Sequence, residues 1–110
     1  MVKQPGELDR RLSLRRAVRT PDGMGGATVT YETVARLWAK VRPMSGRERF
    51  AAAQIQAEST YVITIRRRSD ILETDVLEGP MGVFDIQFIG REDRSPYWDL
   101  QCTLSARELS

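Results

Sequence analysis

Histidine is absent from the 110 residues of this chain, and cysteine occurs once, at Cys102. Histidine is the commonest general base in catalysis and a common metal ligand. A catalytic site in this chain would lack the usual base, and a metal site would lack a usual ligand. A lone thiol cannot form an internal disulfide or supply a second thiolate to a metal. Because Leu100, Cys102 and Leu104 alternate along a predicted strand, we expect Cys102 to be an inert core residue, with a reactive thiol as the alternative. An enzyme is therefore the least favoured functional class.

Long apolar runs are also missing. No segment approaches the roughly 20 apolar residues that a membrane-spanning helix needs, and residues 1–19 are charged and lack the apolar centre of a signal peptide. The sequence contains no Walker loop, no Gly-x-Gly-x-x-Gly after a strand and no nucleophile elbow. We expect a single domain, residues 1–110, that stays in the cytoplasm where it is made. We expect it to have no catalytic residue, no metal and no cofactor.

Charge is unevenly distributed along the chain, although the net charge is only +2. Residues 1–68 carry 14 basic and six acidic side chains, whereas residues 69–110 carry three and nine. In a small barrel both halves share one body, so this split does not by itself define two faces. It does permit the complementary patches that head-to-tail subunit contacts require.

Alternating apolar and polar residues predict six or so short strands, separated by turns rich in glycine, proline and aspartate. Strands and helices do not alternate along the sequence, so a parallel sheet is not predicted. We therefore expect an all-β fold, a small antiparallel β-barrel or sandwich of about six to seven strands. The predicted strands cover residues 11–16, 27–41, 59–68, 74–77, 83–90 and 97–104.

The alternation also assigns side chains to the two faces of each strand. In residues 83–90 it places Phe84, Ile86 and Phe88 on the buried face. In residues 27–41 it places Leu37 inside and Trp38 on the opposite face. Trp38 therefore covers a second small cluster or belongs to an interface, and the sequence leaves both open.

One segment, about residues 43–58, interrupts the strand pattern. A proline ends the preceding strand, and Ser45 and Glu48 have the spacing of a capping box, in which each side chain accepts a backbone hydrogen bond from the other residue. The alanine-rich stretch that follows favours a short helix. An insertion of this length in a compact domain is usually functional or disordered. The alternative is a surface helix that packs on an open barrel end through Phe50 and Ile55.

Two charged clusters require separate interpretations. Glu73, Asp75 and Glu78 could suggest a hard-cation site, but solvent-facing acids on an edge strand are the favoured interpretation. The arginines at 66–68 could bind phosphates. Since successive side chains alternate across a strand, the three cannot all face one ligand, and a solvated strand end or a subunit contact is favoured over nucleic acid.

A family resemblance depends on several of these motifs in order. Residues 8–14 read Leu-x-x-Arg-Leu-x-Leu, and residues 37–48 read Leu-Trp-Ala-x-Val-x-Pro-x-Ser-Gly-x-Glu. An Ala/Gln-rich stretch, the strand 62–66 and Phe-Asp-Ile at 84–86 follow. From Leu8 to Leu104 the chain resembles the phage head–tail joining family, also called head-closure or stopper proteins, of long-tailed phages and phage-like gene transfer particles.

The resemblance implies a virion protein assembled in the host bacterial cytoplasm. Such a β-barrel repeats in a ring of 6 or 12 copies, between a portal or adaptor protein and a tail terminator or tail-completion protein. A long loop lines the channel and helps to retain and gate packaged double-stranded DNA. The resemblance implies channel-facing positions at Ser45, Gly46, Arg47, Glu48 and Arg49. We expect subunit contacts at Trp38, Arg42, Phe50, Ile55, Arg66 and Arg68.

A second functional class is a barrel of the OB type that binds single-stranded nucleic acid. Such barrels present aromatic rings for base stacking beside basic grooves. The aromatic residues left for stacking, because the alternation does not place them in the core, are Tyr31, Trp38, Tyr61 and Tyr97.

Overall fold

The computed structural model describes residues 8–53, 60–106 and 109, and this part of the chain forms a closed antiparallel β-barrel with one short helix. The fold class predicted from the sequence is confirmed. The elements are β1 (Arg10–Pro21), β2 (Ala27–Pro43), α1 (Gly46–Ala53), β3 (Tyr61–Arg66), β4 (Val76–Gly79), β5 (Gly82–Gly90) and β6 (Tyr97–Ser105). Around the barrel they follow the order β1-β2-β3-β6-β5-β4.

The barrel interior is filled by the inward-facing residues that alternate along each strand. Leu14 of β1, Ile63 of β3 and Leu100 of β6 are completely buried, and Phe84 of β5 is 1% exposed. The Tyr61 ring meets the Phe84 ring edge-on, with 5.6 Å between centroids. Full burial of one such side chain contributes about 1.5–3 kcal/mol. These contacts stabilise the fold from within and leave the outer surface and the two ends for function.

The predicted burial of Phe88 was wrong, and a β-bulge explains why. In the pairing of β5 with β6, Ile86 lies opposite Cys102, but Phe88 already lies opposite Gln101. The extra residue between them shifts the alternation by one position. Phe88 therefore points outward and is 39% exposed, while Ile89 is buried in its place.

Cys102 lies in the core, as predicted. Its side chain is completely buried on β6. Loss of solvation raises the pKa of the Cys102 thiol well above its ordinary value, and the nearby negative charge of Asp85 acts in the same direction. A thiol in this environment stays protonated at neutral pH, which is the state of an unreactive core cysteine.

A second bulge marks the point where β1 and β2 leave the barrel. Leu14 pairs with Ala35, but the next residue of β1 pairs with Thr33, so Val34 is the extra residue. Beyond it the two strands remain paired to the turn at 22–26 as a two-stranded ribbon. We call residues 17–31 the arm. Residues 19–30 are all exposed, and the molecule measures 52 Å along its long axis against 29 and 28 Å across.

The predicted strand ends differ from the observed ones where pairing partners begin or end. The first strand continues to Pro21 because β2 remains paired with it along the arm. The third strand ends at Arg66 because its partner β6 begins at Tyr97. β4 continues to Gly79, which pairs with Gly82 across a tight turn; the positive φ of Gly82 (134°) favours glycine there. None of the helical segments among the described residues has the length and apolar character to cross a membrane.

Candidate functional site

Antiparallel pairing places the connections alternately at the two ends of the barrel. The helix end carries α1 and the β4–β5 turn. The arm end carries the arm, the β3–β4 loop (67–75) and the β5–β6 turn (91–96). Candidate functional residues lie at both ends.

At the helix end, the predicted capping box is present. The Ser45 amide donates to Glu48 Oε1 at 3.1 Å, and the Glu48 amide donates to Ser45 Oγ at 3.2 Å. Arg42 at the end of β2 adds two hydrogen bonds to the Glu48 carboxylate, both of 2.8 Å. The amide of Met44 donates to the Thr60 carbonyl at 2.9 Å and closes the base of the insertion. The first turn of α1 is therefore fixed to the barrel by its own charged residues.

The exposed side of this helix is positively charged. Gly46, Arg47 and Arg49 are exposed, and Phe50 is 70% exposed. The alternative in which Phe50 packs the helix on the barrel end is therefore wrong for that residue. Ile55, the other residue named for that packing and for a subunit contact, lies outside the described residues. Since Arg42 neutralises Glu48, the net charge presented by residues 45–50 comes from the two arginines.

Glu48 gives a prediction about pH. Its pKa is lowered from 4.5 to about 2, chiefly by the hydrogen bonds from Arg42 and next by the Ser45 amide. A lowered pKa means that the stabilisation is complete above the ordinary value and is lost as the pH falls towards 2. Since both side chains are more than a third exposed, solvent screening limits the effect to about 1 kcal/mol or less. We expect hydrogen exchange in residues 46–53 to accelerate over this acidic range.

The matched test compares Glu48→Gln with Glu73→Gln, which removes an exposed carboxylate that meets Arg91 only at 3.4 Å. Glu48→Gln should give fast exchange in α1 at neutral pH and abolish its acid dependence. Glu73→Gln should leave both unchanged. NMR can follow the titration of the Glu48 carboxyl. An ordinary pKa for that group would contradict the hydrogen bonds from Arg42 and the Ser45 amide.

On the barrel side near the arm end, Trp38 is 53% exposed and lies beneath the guanidinium of Arg11, 5.0 Å from the ring centroid. A cleft of about 470 Å³ opens beside it because β3 ends at Arg66 while β2 continues into the arm. We call this the tryptophan cleft. It is lined by Leu8, Arg36, Leu37, Trp38, Arg66, Arg67 and Arg68.

The three consecutive arginines have different partners, yet all three line the tryptophan cleft, so the prediction that they cannot face one ligand was wrong. Its premise fails because β3 ends at Arg66 and strand alternation does not continue through Arg67 and Arg68. Arg66 is exposed. Arg67 donates to the Asp93 carbonyl at 2.7 Å, and its guanidinium lies 5.5 Å from the centroid of the Trp98 ring. Arg68 donates two 2.9 Å hydrogen bonds to the Asp70 carboxylate. Arg67 and Arg68 are therefore held by groups of the protein itself, and Arg66 is the one of the three without a described partner.

The interpretation of Asp75 as a solvent-facing acid on an edge strand was wrong. The barrel is closed, so β4 is not an edge, and Asp75 is 1% exposed. Both of its oxygens accept 2.8 Å hydrogen bonds from Arg16, and one also accepts the Leu72 amide at 3.0 Å. Within the part of the chain that the structure describes, no group of three or more acidic, histidine or cysteine residues could hold a metal ion.

Sequence reasoning missed the arm. The alternation of residues 27–34 and the turn at 20–26 predicted a hairpin, but nothing in the pattern says that it extends past the barrel. Among the described residues, β1 pairs with β4 only as far as Arg15, and β2 pairs with β3 only from Ala39 onward. No strand among the described residues therefore pairs with the outer edges of the arm, although the Tyr31 carbonyl accepts a 2.9 Å hydrogen bond from Arg15.

The aromatic residues do not form a stacking platform for nucleic acid. Tyr97 is 8% exposed and Tyr61 packs edge-on against the core ring of Phe84. Of the four rings expected for base stacking, this leaves Tyr31 and Trp38. Tyr31 lies on the arm and Trp38 is already covered on one side by Arg11.

Solved structures similar to this chain include the two described below, whereas no curated protein matches it. Protein SF1141 of Shigella flexneri 2a, solved in solution, is 26% identical over 96% of this chain and 100% of its own, with a TM-score of 0.78. A chain in the virion of a native gene transfer agent particle is 23% identical over 88% of this chain and 96% of its own, with a TM-score of 0.60. The second likeness concerns the fold alone.

The family profile covers the barrel, the arm and the insertion together. The profile of phage head completion proteins matches residues 3–105. That range includes all six strands, the capping box and the tryptophan cleft. The chain therefore belongs to the phage head completion protein family.

Proposed function

We propose that the protein is a structural subunit of the head–tail connector of a phage or a phage-like gene transfer particle. The observation that carries this proposal is the family match over residues 3–105, nearly the whole chain. The fold shared with a chain in a gene transfer agent virion supports it. The subunit is made and assembled in the bacterial cytoplasm and remains in the virion.

In this proposal the subunits form a ring of 6 or 12 copies around the DNA exit. The portal or adaptor protein contacts one face of the ring, and the tail terminator or tail-completion protein contacts the other. The contacts of each single subunit are weak, but a closed ring multiplies them. Trp38, Arg42, Phe50, Ile55, Arg66 and Arg68 are the proposed contact positions; Arg42 contributes indirectly, by holding Glu48 and the start of α1 in place.

The channel is lined by the insertion, with Ser45 to Arg49 facing the double-stranded DNA. Arg47 and Arg49 of each copy place a collar of positive charge around a polyanion. The ion pair between Arg42 and Glu48 supports this step, because it offsets the negative charge of Glu48 beside the two arginines. A gate of this kind retains DNA by charge and shape, and needs no bond-making chemistry.

Deletion and complementation in the parent particle test both levels of the proposal. Loss of the gene should give filled or emptied heads and tails that do not join, as seen by electron microscopy. The wild-type gene should restore joining. The double variant Arg47→Glu, Arg49→Glu should restore joining but lower the retained DNA by about tenfold or more, since charge reversal turns attraction into repulsion.

The control is Arg94→Glu, an exposed arginine at the opposite end of the barrel. It should behave like the wild type. Joined, infective particles in the deletion strain would refute the connector role. Normal DNA retention by the double variant would refute only the channel assignment.

A further inference from the structure

The strand order converts the charge split of the sequence into two opposite walls of the barrel. β1, β2 and β3 are neighbours on one side, and β6, β5 and β4 are neighbours on the other. The first three strands contain nine basic residues and one acidic residue. The second three contain three acidic residues and no basic one. The barrel therefore has a cationic wall and an acidic wall.

The tryptophan cleft lies on the cationic wall, near the arm end. It combines an exposed indole ring with the exposed side chains of Arg36 and Arg66. Among the described residues, no ion pair engages either of these two arginines. Tryptophan and arginine in one partly apolar depression are the residues that most often dominate the energy of protein interfaces.

The acidic wall exposes apolar and acidic side chains at the same end. The bulge in β5 turns Phe88 outward, and Leu72 in the β3–β4 loop is 47% exposed. Glu73 follows Leu72 in the chain and Glu92 comes four residues after Phe88; both are exposed, and Arg91 lies 3.4 Å from Glu73. We call Leu72, Glu73, Phe88 and Glu92 the acidic lobe. The two outward-facing apolar side chains and the two carboxylates complement an apolar cleft rimmed by arginines.

We propose that the acidic lobe of one copy of this chain docks into the tryptophan cleft of the next copy. In the six-stranded barrel β2 and β5 are three strands apart in either direction, so Trp38 of the cleft and Phe88 of the lobe lie on opposite sides of the body. The margins of the two surfaces approach each other at the arm end, where Arg67 and Arg91 both lie against the Trp98 ring, 5.5 and 5.8 Å from its centroid. A contact between opposite sides is heterologous, and repetition of such a contact closes a ring when the rotation allows it. This inference rests on the proposed connector function and names the surfaces that join its subunits.

Nucleic acid is the competing occupant of the cleft, since arginines also bind phosphates. Two observations favour a second copy of the chain. The cleft has an apolar lining of Leu8, Leu37 and Trp38, which a phosphate backbone does not use. The acidic lobe supplies both the apolar groups and the negative charges that such a lining and rim would bind.

A charge-swap experiment in the parent particle tests the contact. The first variant, Arg36→Glu with Arg66→Glu, makes the cleft acidic. The second, Glu73→Arg with Glu92→Arg, makes the lobe basic. Either variant alone places like charges in every contact of the ring, so we expect the yield of joined particles to fall by about 100-fold.

An equal mixture of the two variants should restore the yield to within about tenfold of the wild type, because alternating subunits face opposite charges at every contact. A mixture no better than either variant alone would overturn the inference, as would wild-type yield from either one. Loss of retained DNA from the first variant without rescue by the second would instead identify nucleic acid as the occupant.

A cysteine pair provides an independent measurement in case a charge variant does not fold. Trp38→Cys combined with Phe88→Cys should give a ladder of disulfide-linked copies after mild oxidation of purified particles. Each single variant should give none, because the buried Cys102 is not available. If the chain is found in particles and no ladder forms, the contact is wrong. If particles made with the wild-type gene contain none of the chain, the proposed connector function itself fails.

Discussion

Replacement of Asp75 by alanine should lower the free energy of unfolding by about 3 kcal/mol, the largest loss that we expect from one polar side chain of this protein. The carboxylate is buried and accepts hydrogen bonds from Arg16 and from the Leu72 amide. Its removal leaves a guanidinium without its anion and a backbone donor without an acceptor. The β3–β4 loop, which covers the arm end of the barrel, would lose its anchor.

Urea denaturation of the purified protein measures this loss, with Glu78→Ala as the matched control. Glu78 lies on the same strand and accepts a 2.8 Å hydrogen bond from Arg15, but its side chain is 32% exposed. Its removal should cost about 1 kcal/mol or less. Equal losses in the two variants would show that burial of Asp75 does not matter to the fold.

Shortening the arm should separate stability from assembly more sharply than any single substitution. Joining Arg16 to Glu32, which already face each other across the ribbon, through an Asn-Gly turn removes residues 17–31. The free energy of unfolding should fall by no more than about 1 kcal/mol, because residues 19–30 are exposed. The removed segment also contains the Tyr31 carbonyl, which accepts one 2.9 Å hydrogen bond from Arg15. The yield of joined particles should fall by at least about 100-fold.

The second expectation follows from the exposure of the ribbon. An isolated two-stranded hairpin is at best marginally stable in water, and long open strand edges are usually covered in native assemblies. We therefore expect the arm to bind another protein of the connector. The control is Met24→Ala at the tip of the arm, where the side chain is 89% exposed. This variant changes the sequence of the turn but keeps the arm. Wild-type particle yield from the shortened chain would contradict this role.

The sequence predicted those features that depend on residues near one another in the chain. Ser45 and Glu48 are three residues apart, so their capping box was predictable from spacing alone. The outward position of Trp38 followed from alternation with Leu37. The burial of Cys102 followed in the same way. In each case the pattern and the cause lie within a few residues.

The misses depend on pairing partners that are distant in the chain. The bulge that exposes Phe88 depends on how β5 aligns with β6, and alternation gives no sign of it. Asp75 is buried because Arg16, 59 residues earlier, reaches it. The two charged walls arise only from the strand order, since another order of the same strands would have mixed the charges.

Closure of the barrel also determines the order in which the fold can form during synthesis. The hairpin of β1 and β2 needs only local contacts, and can form soon after it leaves the ribosome. The seams that close the barrel join β3 with β6 and β1 with β4, across separations such as Ile65 to Trp98 and Ser13 to Glu78. Until β6 emerges, the nascent chain exposes the apolar inner face and the unpaired edge of β3. Pairing of β6 with β3 and β5 is therefore the step at which the chain stops being prone to aggregation.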